Sequence, residues 1–152
     1  MWSTNYGSYY ARHVLVLAEQ DADDNIWLAD QNRTTGQGFK IKVDNCKREI
    51  SGIQIKNKEK ERTFRVPIAT RNFRVSGSST ENGPWKTLLE AELEDTSTKL
   101  ATLRNFTFSE PAELQYIKFD LISYWGAWGG GLQYFAAILS TPAESKETTI
   151  NQ

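Results

Sequence analysis

Apolar and polar residues alternate with a period of two along much of this chain. Phe39, Ile41 and Val43 are separated by Lys40 and Lys42, Ile53 and Ile55 by Gln54, Phe73 and Val75 by Arg74, and Ile117, Phe119 and Leu121 by Lys118 and Asp120. Successive side chains leave a strand on opposite sides, so this pattern predicts strands with one face buried and the other in water. Trp85 to Leu89 and Phe106 with Phe108 are further candidates, and Leu132 to Leu139 is apolar enough for a buried strand. Turn-forming clusters separate the runs: Asp44-Asn45, the stretch from Ser78 to Pro84, and Ser109-Glu110-Pro111. Leu88 to Glu94 is the one segment that reads as a helical turn. Short alternating strands at this spacing predict an all-β, antiparallel sandwich.

Two of the five tryptophans stand in Ser123-Tyr124-Trp125-Gly126-Ala127-Trp128-Gly129-Gly130-Gly131, between two of these strands. Glycine runs lose the most backbone entropy on ordering, so they mark places where the chain turns sharply or must leave room. The loop is expected to join two strands at one end of the sandwich. One of Trp125 and Trp128 is expected to plug the core beneath it and the other to face a ligand, with Trp128 preferred for the ligand because glycines follow it directly. Trp27 and Trp85, in or beside strands, are expected in the core.

The length of 152 residues suits one domain with a core of useful size. Residues 1–141 are expected to form it. The last residues, 142–152, rich in Glu, Ser, Lys and Thr, are expected to be frayed. Eighteen Lys and Arg against nineteen Asp and Glu leave a net charge of −1, so no global field favours nucleic acid or an anionic bilayer. No apolar run approaches the ~20 residues of a membrane helix. The polar, aromatic start of the chain lacks the features of a signal peptide, which implies a cytosolic protein or one whose signal has been removed. The single Cys46 permits no internal disulfide and is expected to be a small buried hydrophobe. Asn32-Arg33-Thr34 and Asn105-Phe106-Thr107 match the N-glycosylation acceptor, a pattern that chance also supplies in a chain of this composition.

Catalytic chemistry is hardly represented. His13, the only histidine, opens an apolar run with no nucleophile nearby to activate. There is no phosphate loop, zinc spacing or nucleophile elbow, and Gly129-Gly130-Gly131 opens no predicted helix. The expected function is binding, not catalysis.

Several patterns in order resemble a known family. These are Thr70-Arg71-Asn72-Phe73-Arg74-Val75-Ser76-Gly77-Ser78, Gly83-Pro84-Trp85-Lys86-Thr87-Leu88-Leu89, Tyr116-Ile117-Lys118-Phe119-Asp120-Leu121, and the glycine loop with Leu132-Gln133-Tyr134-Phe135. Asn25 to Ala29, Thr34 to Phe39 and Lys47 to Ile50 fall where the family has its first strands. Together, from about Val14 to Leu139, they resemble a discoidin domain, or coagulation-factor type C domain, of the galactose-binding-like superfamily. The resemblance implies a jelly-roll sandwich whose loops bind ligands at one end, and it leans toward an extracellular setting, although the terminal disulfide of many relatives is missing.

Three loops are candidates for that end. The acidic stretch Glu19 to Asn25 suggests Asp21, Asp23 and Asp24 as donors to a structural Ca²⁺, since hard cations want several oxygens. Relatives add an acid from the last strand, where this chain has Phe135-Ala136-Ala137, so a solvated acidic turn competes with the ion. The basic stretch from Asn57 to Arg71 offers Arg62, Arg65 and Arg71, among apolar neighbours, as forks for paired sugar oxygens. Arg71 reads equally as a structural anchor. The glycine loop offers Tyr124, Trp125 and Trp128 as stacking faces, with Asp30, Asn32 and Arg33 as a polar rim. The resemblance thus implies lectin-like recognition of a carbohydrate or glycoconjugate and, where such sites are arrayed, cell adhesion. A lipid headgroup or a protein partner on the same aromatic loops is the alternative.

Overall fold

In the computed structural model, the described residues are Trp2–Ser3, Trp27–Leu28 and the spans 37–58, 68–96, 99–125 and 129–140. They contain nine strands: β1 (Trp2–Ser3), β2 (Trp27–Leu28), β3 (Gln37–Lys42), β4 (Arg48–Asn57), β5 (Asn72–Ser78), β6 (Lys86–Glu92), β7 (Arg104–Leu114), β8 (Tyr116–Leu121) and β9 (Gly131–Leu139). All pair antiparallel into two sheets, of order β1-β3-β8-β5-β6 and β2-β9-β4-β7.

The core lies between the sheets and follows the alternation in sequence. Phe39 and Ile41, Phe73 and Val75, and Ile117 and Phe119 face it from the larger sheet; Ile50, Ile53, Ile55 and Phe135 face it from the smaller. Phe39, Phe119 and Phe73 make a stacked row across β3, β8 and β5, with centroids 5.0 and 5.6 Å apart. Phe135 meets that row edge-on, 5.3 Å from Phe39 and 5.7 Å from Phe119, which ties the sheets together with the geometry aromatic quadrupoles prefer.

Two pairs of buried residues break the period of two. Ile50 and Ile53 are three apart, as are Leu132 and Phe135, yet all four are buried. A one-residue slip normally turns a side chain to the opposite face, so each pair needs an extra residue between them. The register supplies it: Ile50 and Gly52 oppose Leu139 and Ile138, leaving Ser51 over, and Lys56 and Asn57 oppose Tyr134 and Leu132, leaving Gln133 over.

The structure corrects four expectations. Leu88 to Glu94 does not turn helically; its residues up to Glu92 belong to β6, whose two-residue spacing sets Glu90 and Glu92 outward against β5. Ser109-Glu110-Pro111 is not a turn between strands but lies inside β7, where the register jumps from Ile50–Ala112 to Gly52–Thr107. Proline is tolerated there because β7 is an edge strand and the jump asks no ladder hydrogen bond of it. Cys46 is exposed, in the turn that follows Asp44, where there is no core to enter. Trp85 is half-buried outside the core, just before edge strand β6, with the Lys118 ammonium 5.2 Å above its ring.

Candidate functional site

The connections β4–β5, β6–β7 and β8–β9 meet at one end of the sandwich, and buried polar groups join them. Asn57, at the end of β4, holds Thr70 at both backbone groups: Thr70 N–H donates to Asn57 Oδ1 and Asn57 Nδ2 donates to Thr70 O, each at 2.9 Å. Nδ2 also reaches Glu94 O at 3.2 Å. The Thr70 hydroxyl donates to Gly131 O at 2.9 Å, and Trp125 N–H donates to Ala69 O at 2.9 Å. Ser123 O accepts from the N–H groups of Arg71 and Asn72, while the Ser123 hydroxyl donates to Asn72 Oδ1 at 2.7 Å. Gly130 fits here for want of a side chain: a Cβ would stand 2.9 Å from a Leu121 methyl and 3.3 Å from Thr70 Oγ1.

Arg71 and Trp125 are placed on this frame as a pair. The Trp125 indole N–H donates to Leu93 O at 2.9 Å, which fixes the ring. The Arg71 guanidinium lies over that ring, 4.4 Å from its centroid, and its Nε donates to Glu92 Oε2 at 2.8 Å. Arg71 and Glu92 are both about half-exposed, so the planar cation is held by a ring and a carboxylate yet still faces water. Among the described residues, its Nη groups have no further acceptor. Tyr124, 41% exposed, follows the Ser123 anchor and is bridged to Thr70. Beneath the frame, a crevice lined in part by Asn57, Leu93 and Thr96 has only ≈ 10 Å³, room for about one water.

Of the residues expected at the ligand end, the structure therefore brings together Arg71, Tyr124 and Trp125. Asp30, Asn32, Arg62, Arg65 and Trp128 lie outside the described residues, as do His13 and the suggested calcium donors Asp21, Asp23 and Asp24. Among the described residues, no group of three His, Cys, Asp or Glu could hold a metal ion. Where the resemblance implied an acid on the last strand, β9 has Phe135, Ala136 and Ala137, which offer no side-chain oxygen. Sequence reading missed Glu92, because Leu88 to Glu94 read as helical, and it missed the tether Asn57, which read as the first residue of the basic stretch that runs to Arg71.

No protein-family model matches the chain, and no curated protein matches it significantly. Solved structures do resemble it. The family 32 carbohydrate-binding module of C. perfringens NanJ, determined in complex with galactose, superposes with a TM-score of 0.62 at 17% identity over 88% of each chain. A family 32 module, CBM32-1, from a family 31 glycoside hydrolase of Clostridium perfringens gives 0.66 at 10% identity, covering 91% of this chain and 90% of that one. Chitosan-binding module 1 of a Paenibacillus sp. IK-5 chitosanase/glucanase gives 0.61 at 11% over 89% of both. The fold is the discoidin-like, galactose-binding-like jelly roll that family 32 carbohydrate-binding modules share.

Proposed function

We propose that this chain is a non-catalytic carbohydrate-binding module that grips sugar hydroxyls at the loop end. The observation that carries the reading is the preset Arg71 fork, stacked on Trp125 and steered by Glu92, which offers charge-assisted donors to adjacent oxygens with little left to order. Tyr124 supplies the exposed aromatic surface that a pyranose face needs. Modules of the same fold, solved with galactose or with GalNAc-β-1,3-galactose, support the ligand class. Trp125 then acts as the plug that positions Arg71, and the stacking expected of the loop falls to Tyr124 and Trp128. One shallow site of this kind binds weakly, with Kd of about 1 mM to 1 μM. Adhesion to a glycan-coated surface would come from several copies together.

A lipid surface or a protein partner at the same end is the second reading, favoured by Leu100 and Leu103, 69% and 40% exposed in the connection after β6. A glycan array probed with the purified protein, followed by galactose titration of Arg71→Ala, tests the first. Saturable sugar binding that is lost in the variant is the expected result. Absence of sugar binding together with cosedimentation on phosphatidylserine vesicles would replace it with the second.

A further inference from the structure

A cleft opens on the outer face of the larger sheet beside the Arg71–Glu92 pair. It has ≈ 450 Å³ and is walled by Asn72, Arg74, Glu90, Glu92 and Ile122, with Phe73 and Ala91 beneath. Strand alternation places the walls: Phe73 and Val75 point into the core, so Asn72 and Arg74 point out, where the register sets them opposite Glu92 and Glu90. Arg74 Nε donates to Glu90 Oε2 at 2.9 Å. Ile122, the first residue past β8, is 53% exposed on the rim. Glu92 belongs to both places, because the carboxylate that steers Arg71 also lines the cleft.

We propose that the cleft is a second sugar subsite, continuous with the Arg71 platform, which seats the inner units of a glycan whose terminal unit is held at the loop end. The chain is then a reader of neutral oligosaccharides of two or three units, not of a terminal monosaccharide alone. The inference rests on the carbohydrate reading above. Its volume falls within the ~300–1,000 Å³ of small-molecule sites. Its charge fits hydroxyls: both carboxylates are paired with arginines, so an anion would meet Glu90 and Glu92, a cation would compete with guanidinium groups already in place, and a hydroxyl finds donors and acceptors side by side. Ile122 adds the apolar contact that a pyranose face takes.

The test is calorimetric titration of the full chain with a β-linked galactose series of one, two and three units, alongside Ile122→Asp, Glu90→Ala and the milder Glu90→Gln. Affinity is expected to rise about tenfold from one unit to three, and in the variants the trisaccharide is expected to fall back to the value for galactose. A folding-independent readout is the methyl NMR signal of Ile122 in the unaltered protein, expected to shift with trisaccharide and not with galactose. Galactose binding with no gain along the series, or an Ile122 signal unmoved at saturating trisaccharide, overturns the cleft and leaves the carbohydrate reading standing. Failure of every sugar to bind overturns both, and an Ile122 shift on adding a protein partner instead would mark the cleft as that partner's site.

Discussion

Asn57 completes the backbone of Thr70: its side-chain amide accepts from the Thr70 N–H and donates to the Thr70 carbonyl, both at 2.9 Å and both out of water. In effect a side chain replaces one rung of a β-ladder where β4 has ended and β5 has not begun. Asn57→Ala would take this side-chain partner from the N–H and carbonyl of Thr70, the N–H of Lys58 and the carbonyl of Glu94, a loss of about 2–4 kcal/mol. For a domain of this size the melting midpoint should fall by roughly 5 to 12 °C. Asn57→Asp should be nearly as harmful, since a carboxylate cannot donate to the Thr70 and Glu94 carbonyls. A thermal melt of each variant by circular dichroism checks both, and an unchanged midpoint would remove Asn57 from the frame.

The ring of Phe119 stands between Phe39 and Phe73 and meets Phe135 on the opposite sheet. Truncation at that crossing creates a cavity bounded by three other aromatic rings, which cannot all collapse into it. Phe119→Ala is therefore expected to lose roughly 3–5 kcal/mol, measured by urea denaturation, whereas Phe119→Leu should lose distinctly less.

The alternation around Phe39, Phe73 and Phe119 made the inner face of the larger sheet legible, because a two-residue period survives any change of neighbour. The smaller sheet was harder to read. Its buried Ile50 and Ile53 are out of phase until Ser51 is set aside as a bulge, and only the pairing with β9 shows that. The sequence carried a sign of it in Ser51-Gly52, two residues that set Ile50 out of step with the alternating Ile53 and Ile55. Arg71 and Trp125 could each be suspected from residue type, but not their stacking, since 54 positions of chain must first fold to bring them together. Glu92 could not be matched to Arg71 while its segment read as helical; as a strand, the same residues put acids within ion-pair reach of Arg71 and Arg74 at once.

Gly38 and Gly52 are required for a different reason from the loop glycines. A Cβ on Gly38 would run into the carbonyl oxygen of Phe119 on β8, and one on Gly52 into that of Phe106 on β7. Backbone cannot yield as a flexible side-chain end can, so either alanine must spread two paired strands. Gly38→Ala and Gly52→Ala should each destabilise by more than about 2 kcal/mol, while the neighbouring Ser51→Ala, which gives up one long hydrogen bond to the Ile138 carbonyl, should lose no more than about 1 kcal/mol. Chemical denaturation of the three proteins compares them directly, and equal midpoints would show that the strands stand further apart.

Asp120 lies on the outer face of β8, opposite Gly38 on one side and Arg74 on the other. Burial pushes its carboxyl above the usual range, against the pull of Lys118 and Arg74. An acid whose folded-state pKa is raised binds its proton more tightly in the folded protein, so it costs stability above that raised value and the cost disappears as pH falls toward the ordinary value. Asp120→Asn should thus raise the melting midpoint slightly at pH 7 and lose the advantage at pH 3. The outward position and the solvent beside it keep the effect small. A midpoint lowered at pH 7 would mean that attraction to Arg74 and Lys118 outweighs desolvation.

Trp125 and Arg71 can be separated by substitutions that keep part of each. Trp125→Phe retains a ring face beneath the guanidinium but loses the hydrogen bond to the Leu93 carbonyl, so the ring is free to tilt. Arg71→Lys retains the charge but not the planar fork or the stack. If the fork is the sugar contact, Arg71→Lys should weaken galactose binding by roughly tenfold or more, the loss of a charge-assisted hydrogen bond, while the melting midpoint hardly moves because the Arg71–Glu92 pair is half-exposed. Trp125→Phe should weaken binding less and lower the midpoint more, since it leaves a partly buried carbonyl without its donor. Calorimetric titration and thermal melts of the two variants give four numbers. The reverse pattern, with binding sensitive to Trp125 and indifferent to Arg71, would make the indole the contact and the arginine only its cover.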